Sequence, residues 1–497
     1  MELVSSESVF NEAKSALEGK DADGNAHPID LDKSEKLLNE LLNNNVGHPV
    51  VLYVLASLHL TRANYGLAIQ LFTQITQAEP TFGEAWNNLA MAFRGINDWD
   101  KAVLCATKAS KYIDHADVPT NVSGLHLNRG KPEIALEWAE KALAKAPDHV
   151  KAQWHKAMAL LEMGRWDDAW EIHESRLTGG ADRSIAERNY HGPDDMTPWW
   201  DGKAEGTVVI HGEQGMGDEI MFASCIPDAI ATGATFILEP SPRLDGLFRR
   251  TFPTTFVHGT DHVDGRGWKL ERAKPDFKIA MGSLPRLFRR NQSDCPGTPY
   301  LVPDPARRAW WGDKLKVCGN RPRIGLAWQG GVQQTRVEAR SFHPSLFGPL
   351  FAAFDCTWVS LQYDQTAKAC VDQVRGQGID LYHWPKAVEA IDPETGKLSD
   401  LDELAALISQ LDLVITVPQT AYHFAGALGV PCWVLVQTEP DWRLGVTGDT
   451  NAWYNSVSLI RQETKGDWTG PINEVAKRLG PWLAERERTQ SMADRTP

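Results

Sequence analysis

The sequence predicts an α-helical repeat array followed by an α/β region of two doubly wound halves. Three observations carry this. Small residues recur at spacings of 34, 34, 33 and 34 through the first third of the chain. From residue 207 the pattern changes to short β-branched runs alternating with amphipathic stretches, as βαβ units require. A second strand–loop–helix start at Arg323 follows the first by about 115 residues, which argues for two halves in succession. At 497 residues the chain is too long for one ordinary domain.

The repeat is read from Ser34, Ala68, Ala102, Ala135 and Ala169, each at the packing position of a second helix. Three residues before the last four stand Tyr65, Trp99, Pro132 and Trp166. Upstream, Leu52, Leu55 and Ala56 match Trp86, Leu89 and Ala90 in offset. Pro80 and Pro147 end units where a helix must stop, and Gly130 and Gly164 sit in the turns between paired helices. These offsets resemble the tetratricopeptide repeat, a helix–turn–helix of 34 residues. The resemblance covers about residues 49–182, with a degenerate half-unit near 28–48. One helix pair cannot bury its apolar face alone, so neighbours stack into a solenoid and the named residues read as core. The resemblance implies a concave face that holds a peptide or partner protein. The array is thus expected over 1–182, with a linker at 183–205. Gly179, Gly180, Gly192, Pro193 and Pro198 break the period there, and Trp199-Trp200 is expected to dock onto the next domain.

In the α/β region Thr207–Ile210 reads as a buried strand feeding a glycine loop, with a helix over Glu219–Ile226. Arg323–Trp328, Trp358–Leu361, Asp412–Val417 and Cys432–Val436 read as further strands. The halves are placed at 206–318 and 319–497, hinged around Pro303, Pro305 and Cys318–Pro322. A ligand belongs outside the carboxyl ends of the strands, in the cleft between them. Gly212, Gly215 and Gly217 form G-x-x-G-x-G rather than the dinucleotide order, and no acidic ribose partner follows. There is no phosphate-binding G-x-x-x-x-G-K-[ST] either. Nicotinamide enzymes and P-loop NTPases are disfavoured.

Lys and Arg total 51 against 65 Asp and Glu, a net charge of −14 that argues against a nucleic-acid partner. No apolar run is long enough to span a membrane, and the first residues lack a basic-then-apolar signal. The expectation is a cytoplasmic protein. Its seven scattered cysteines read as reduced core thiols.

Several segments read together become specific: Gly212–Ala223, Pro198–Gly202, Arg243–Phe248, Gly325–Trp328, Ser360–Gln362, Leu404–Val417, His423–Pro431, Pro440–Arg443 and Trp453-Tyr454. They resemble bacterial and phage proteins with tetratricopeptide repeats before a domain similar to the ADP-heptose:lipopolysaccharide heptosyltransferases. The architecture is also similar, more weakly, to protein O-GlcNAc transferase. The resemblance implies a GT-B fold of two Rossmann-like halves and inverting, metal-independent transfer of a hexosyl or heptosyl group. A nucleotide-sugar is then a co-substrate, with no bound cofactor, and the acceptor is a protein or glycan.

By the same resemblance Asp218 is the catalytic base, although a carboxylate at a helix start is equally an N-terminal cap. Glu219 is the reserve. Gly215 and Gly217 shape the first loop and are counted with the donor and diphosphate contacts. Donor and diphosphate contacts fall on Gln329, Gly330, Arg340, Gln362, Gln419, Thr420 and His423, because helix N-terminal amides and forked guanidinium donors suit diphosphate. Arg336 is the second arginine of that loop, and His423 either donates to phosphate or packs beneath it. Trp442 reads as structural and Arg443 as facing the cleft. The family usually carries an Asp where Pro418 or Gln419 stands, so a catalytically inactive, nucleotide-binding interaction scaffold is the alternative reading. Asp400-Leu-Asp402 looks like a DxD metal motif but opens a helix, where acids are ordinary. The pairs Arg249-Arg250, Arg289-Arg290 and Arg307-Arg308 are read as solvated surface or the lining of an acceptor groove.

Overall fold

The computed structural model describes residues 6–20, 26, 28–44, 48–179, 197–260, 275–331, 337–363, 366–389 and 399–493. Gly180, Gly192, Pro193 and Arg336 lie outside the described residues. The chain divides into two compact units, Met1–Ala159 and Leu160–Pro497. The helix Trp166–His173 falls in the second of these units.

The first unit is helical: α1 (Ser6–Glu18), α2 (Leu31–Asn44), α3 (Pro49–Thr61), α4 (Tyr65–Ala78), α5 (Gly83–Gly95), α6 (Trp99–Ala109), α7 (Asp117–Leu127), α8 (Pro132–Lys145) and most of α9 (Val150–Glu162). The stretch read as a half-unit near 28–48 is the second helix of a pair, because α1 packs on α2 upstream of it. Ser34, Ala68, Ala102 and Ala135 are fully covered, small enough for neighbouring helices to close over them. Phe72, Leu89 and Val122 fill the space between helices. A left-handed residue recurs between paired helices at Ala63, Asn97, Gly130 and Gly164. Only two of the four are glycine, which is why the sequence revealed only those two.

On α9, the His155 ring lies 3.0 Å from the Thr120 carbonyl through Nδ1. Burial, aided by the Lys151 charge, lowers its imidazole from 6.5 to about 4. Between those values the unfolded chain binds a proton that the folded one refuses. This contribution is therefore fully present above pH 6.5 and is lost as pH falls toward 4. The first unit is expected to lose about 3 kcal/mol by pH 4 from this ring. If His155→Leu melts with an unchanged acid dependence, the ring is not the cause.

The second unit carries two parallel sheets. β1 (Thr207–His211), β2 (Thr235–Glu239), β3 (Phe256–Val257) and β4 (Phe277–Ala280) lie in the order β3-β2-β1-β4. β5 (Arg323–Ala327), β6 (Thr357–Ser360), β7 (Leu381–His383), β8 (Leu413–Thr416), β9 (Cys432–Val436) and β10 (Val457–Arg461) lie in the order β10-β9-β8-β5-β6-β7. In register, Ile210 pairs with Leu238 and Ile279, and Leu326 with Ser360 and Ile415. Every residue of β6, β8 and β9 is buried, as in strands covered on both faces. The order reverses between β1 and β4 and between β5 and β8, the points where a crevice opens beyond the strand ends. The expected hinge is mostly a helix, Pro305–Leu315, because Asp304 caps it and Pro305 supplies a first-turn φ. Among the described residues no helix is long and apolar enough to cross a membrane.

The N-terminal segment of this unit is locked in by aromatic and ionic contacts. On α10 (Trp166–His173), Trp166 and Trp170 lie 6.4 and 5.8 Å from Trp442 by ring centroid. Trp453 lies 5.2 Å from Trp166, and Phe222 closes the cluster. Arg176 is buried, with Nε donating to Glu213 at 2.9 Å and Nη2 to the other carboxylate oxygen at 2.7 Å. Trp200 docks against Phe236 and donates to the Ala204 carbonyl, whereas Trp199 is 41% exposed beneath Lys278.

Candidate functional site

The loop after β1 runs into α11 (Met216–Ala223), and the loop after β8 runs into α12 (Thr420–Leu428). The two helices touch. A Cβ at Gly217 would lie 2.8 Å from the His423 ring, so only glycine allows this approach of the two helix starts. Likewise a Cβ at Gly330, beyond β5, would lie 2.2 Å from the Pro418 carbonyl oxygen. Glycine there lets the β5 and β8 loops pack backbone to backbone. Gly215 is extended at the start of α11 and would tolerate a Cβ.

Asp218 uses both carboxylate oxygens. Oδ2 accepts from the Gly215 N–H at 3.2 Å, and Oδ1 accepts from Arg443 Nε at 2.6 Å. Arg443 also donates through Nη2 to Gln214 Oε1 at 2.9 Å and lies over the Trp442 ring. It thus ties the second half to the loop of the first. Gln214 is held at φ 62, a left-handed conformation that costs a non-glycine residue about 1–3 kcal/mol and clusters at functional sites. Asp441 stands 3.8 Å from both the Arg443 and Arg340 guanidinium groups. These four charges surround the start of α12: burial pushes the Tyr422 phenol well up, and Asp441, Arg443, Asp218 and Arg340 act on it.

His423 is buried, its Nδ1 3.1 Å from the Tyr454 hydroxyl. Burial, with the Arg443 charge, holds its pKa well below 6.5, so the ring is neutral near pH 7. Thr420 is partly exposed at the first position of α12. Gln419 is turned inward, Oε1 accepting from the Ala421 N–H and Nε2 donating to Thr416, both at 3.4 Å. Gln362 is likewise committed to backbone, accepting from the N–H groups of Trp328 and Gln329 at 3.0 Å. Its Nε2 donates to the Gln329 carbonyl, so it braces the β5 loop. The structure therefore gathers Asp218, Gly217, Arg340, Thr420 and His423 around the two helix starts, while Gln362 and Gln419 support the loops from below.

Neither the reserve acid Glu219 nor the neighbouring Glu213 is free to replace Asp218. Glu219 is buried under the first loop and accepts from the Ser241 N–H, and Glu213 is taken by Arg176. One arginine of each basic pair is held by an acid: Arg250 by Asp402, Arg307 by Asp400 and Arg289 by Asp228. Sequence reasoning missed Gln214 and the Asp218–Arg443 pair, whose members are 225 residues apart. The one local signal, a Gln between glycines, does not specify a left-handed backbone.

Residues 53–109 and 125–179 match the tetratricopeptide repeat family. The helical array is built of these repeats. Over 440 residues the chain is 29% identical to Protein FlbA of Caulobacter vibrioides, covering 84% of this chain and 70% of that protein. Parts of the chain are similar to solved structures. MamA is 19% identical, covering 32% of this chain and 92% of its own, with a TM-score of 0.29. A thermophilic repeat protein of Thermus thermophilus is 18% identical, covering 37% and 94%, also with a TM-score of 0.29.

Proposed function

We propose that this chain is an inverting, metal-independent glycosyltransferase of GT-B type. It moves a sugar from a nucleotide-sugar to an acceptor recruited by the repeat array. The observation that carries this reading is the meeting of two helix starts, each following a strand at a topological switch, with Asp218 on one side and Arg340, Arg443 and Thr420 on the other. The α12 start and the two guanidinium groups suit a diphosphate, which must gain negative charge as it leaves. Asp218 across the cleft takes the acceptor proton, once donor diphosphate has drawn Arg443 away from it. In this reading 1–182 forms the array and 206–318 and 319–497 the two halves.

A donor screen by nucleotide-sugar hydrolysis tests the proposal. Hydrolysis or transfer with any donor supports it, and none with a broad panel rejects it. Donor binding has its own test. Thr420→Val and Arg340→Ala should each weaken nucleoside-diphosphate affinity by roughly tenfold or more, at about 1.5–3 kcal/mol per charge-assisted bond. Unchanged affinity by calorimetry moves the site elsewhere.

The second reading is an inactive scaffold that binds nucleotide. It is favoured by the inward turn of Gln419 and by the engagement of both Asp218 oxygens within the protein. Nucleotide binding without turnover on any donor would select it.

A further inference from the structure

A cavity of about 690 Å³ opens beside Arg443, within the range of about 300–1,000 Å³ typical of ligand clefts. Three segments of the α/β unit wall it: Glu162–Trp166 between α9 and α10, the turn Asn291–Ser293, and the loop from Trp442 to Ala452. The third wall is rigidly built. Arg461 donates to the carbonyls of Gly448 and Gly445 at 2.6 and 2.9 Å, and to Leu444 and Thr447 at 2.6 and 3.0 Å. Gly164 and Gly445, both at positive φ, bring bare backbone to two of the walls.

We infer that this cavity seats an extended polypeptide segment bearing the acceptor hydroxyl. The inference rests on the transferase reading for the word acceptor, but not for the binding itself. The lining includes carboxamides and hydroxyls, Asn291, Gln292, Ser293, Thr447 and Thr450, beside the charged Glu162 and Arg443 and the apolar Met163 and Val446. Carboxamides both donate and accept, as a peptide backbone requires of its partner. A sugar chain would look for open aromatic faces, and the cavity's two indoles offer none: Trp166 is 2% and Trp442 5% exposed. Arg443 is common to this cavity and to the Asp218 ion pair. A serine or threonine seated here therefore shares a neighbour, Arg443, with the carboxylate that would take its proton.

The test uses the full chain and a fixed panel of fluorescein-labelled twelve-residue peptides, each with one central threonine in varied surroundings, read by anisotropy without donor. At least one peptide should bind wild type. Gln292→Trp and Thr447→Trp fill the cavity from different walls at exposed positions, and each should weaken that peptide at least tenfold. Maltoheptaose should not compete. The inference is overturned if no peptide binds, if both filled variants bind as wild type does, or if maltoheptaose displaces the peptide. Binding that both variants lose, together with an empty donor screen, would reject the transferase reading while keeping the peptide site.

Discussion

Asp218→Asn is expected to lower turnover about 10²–10⁴-fold, the usual contribution of a positioned general base. Asparagine keeps the oxygen that accepts from the Gly215 N–H, so the start of α11 and the fold should survive. The ion pair with Arg443 adds a second expectation. Removing the carboxylate charge frees a guanidinium that donor diphosphate otherwise has to win from Asp218. Nucleoside-diphosphate affinity should therefore rise as turnover falls. A purely structural cap would leave turnover unchanged, whereas the release of Arg443 raises affinity in either case. Near-normal turnover would sink the assignment outright, because Glu213 and Glu219 are both buried and committed to other partners.

The second large effect is on stability. Arg176→Ala leaves the Glu213 carboxylate buried without its ionic partner, which should cost the α/β unit about 3–5 kcal/mol. The paired change Arg176→Met with Glu213→Leu should recover most of that loss, since a buried pair is dispensable when both charges go. Denaturant unfolding followed by tryptophan fluorescence reads both. A loss below about 1 kcal/mol for Arg176→Ala would contradict the burial described above. For the same reason a chain starting at residue 183 should aggregate, because it lacks Trp166, Trp170 and Arg176. One starting at residue 148 should stay soluble.

The repeat array was legible because close helix packing demands small residues at a fixed period, and Ala68, Ala102 and Ala135 declare it. β1, β5, β8 and β9 were legible because strands buried on both faces read as unbroken apolar runs. β3 has two residues and β7 three, too short for any period, while Lys278 and Ser458 interrupt β4 and β10. At the site the glycines were legible by position, although their cause, contact with His423 and Pro418, was not. The Asp218–Arg443 pair joins residues that no local pattern connects. Alternating runs suggested a proline-rich hinge near 303–322, yet Pro305 begins a helix there. Proline breaks a helix from within but favours its first turn, and here the second effect decides.

The tryptophan cluster also sets a timetable for synthesis. The first 159 residues form a unit of their own, rich in neighbour contacts, and can fold as they emerge from the ribosome. Trp166 and Trp170 cannot, because Trp442 and Trp453 are made more than 270 residues later. At about 5–20 residues per second that is a wait of roughly 15–60 s. Throughout it the nascent chain displays two uncovered indoles just beyond the helical array, the transient apolar exposure that favours aggregation.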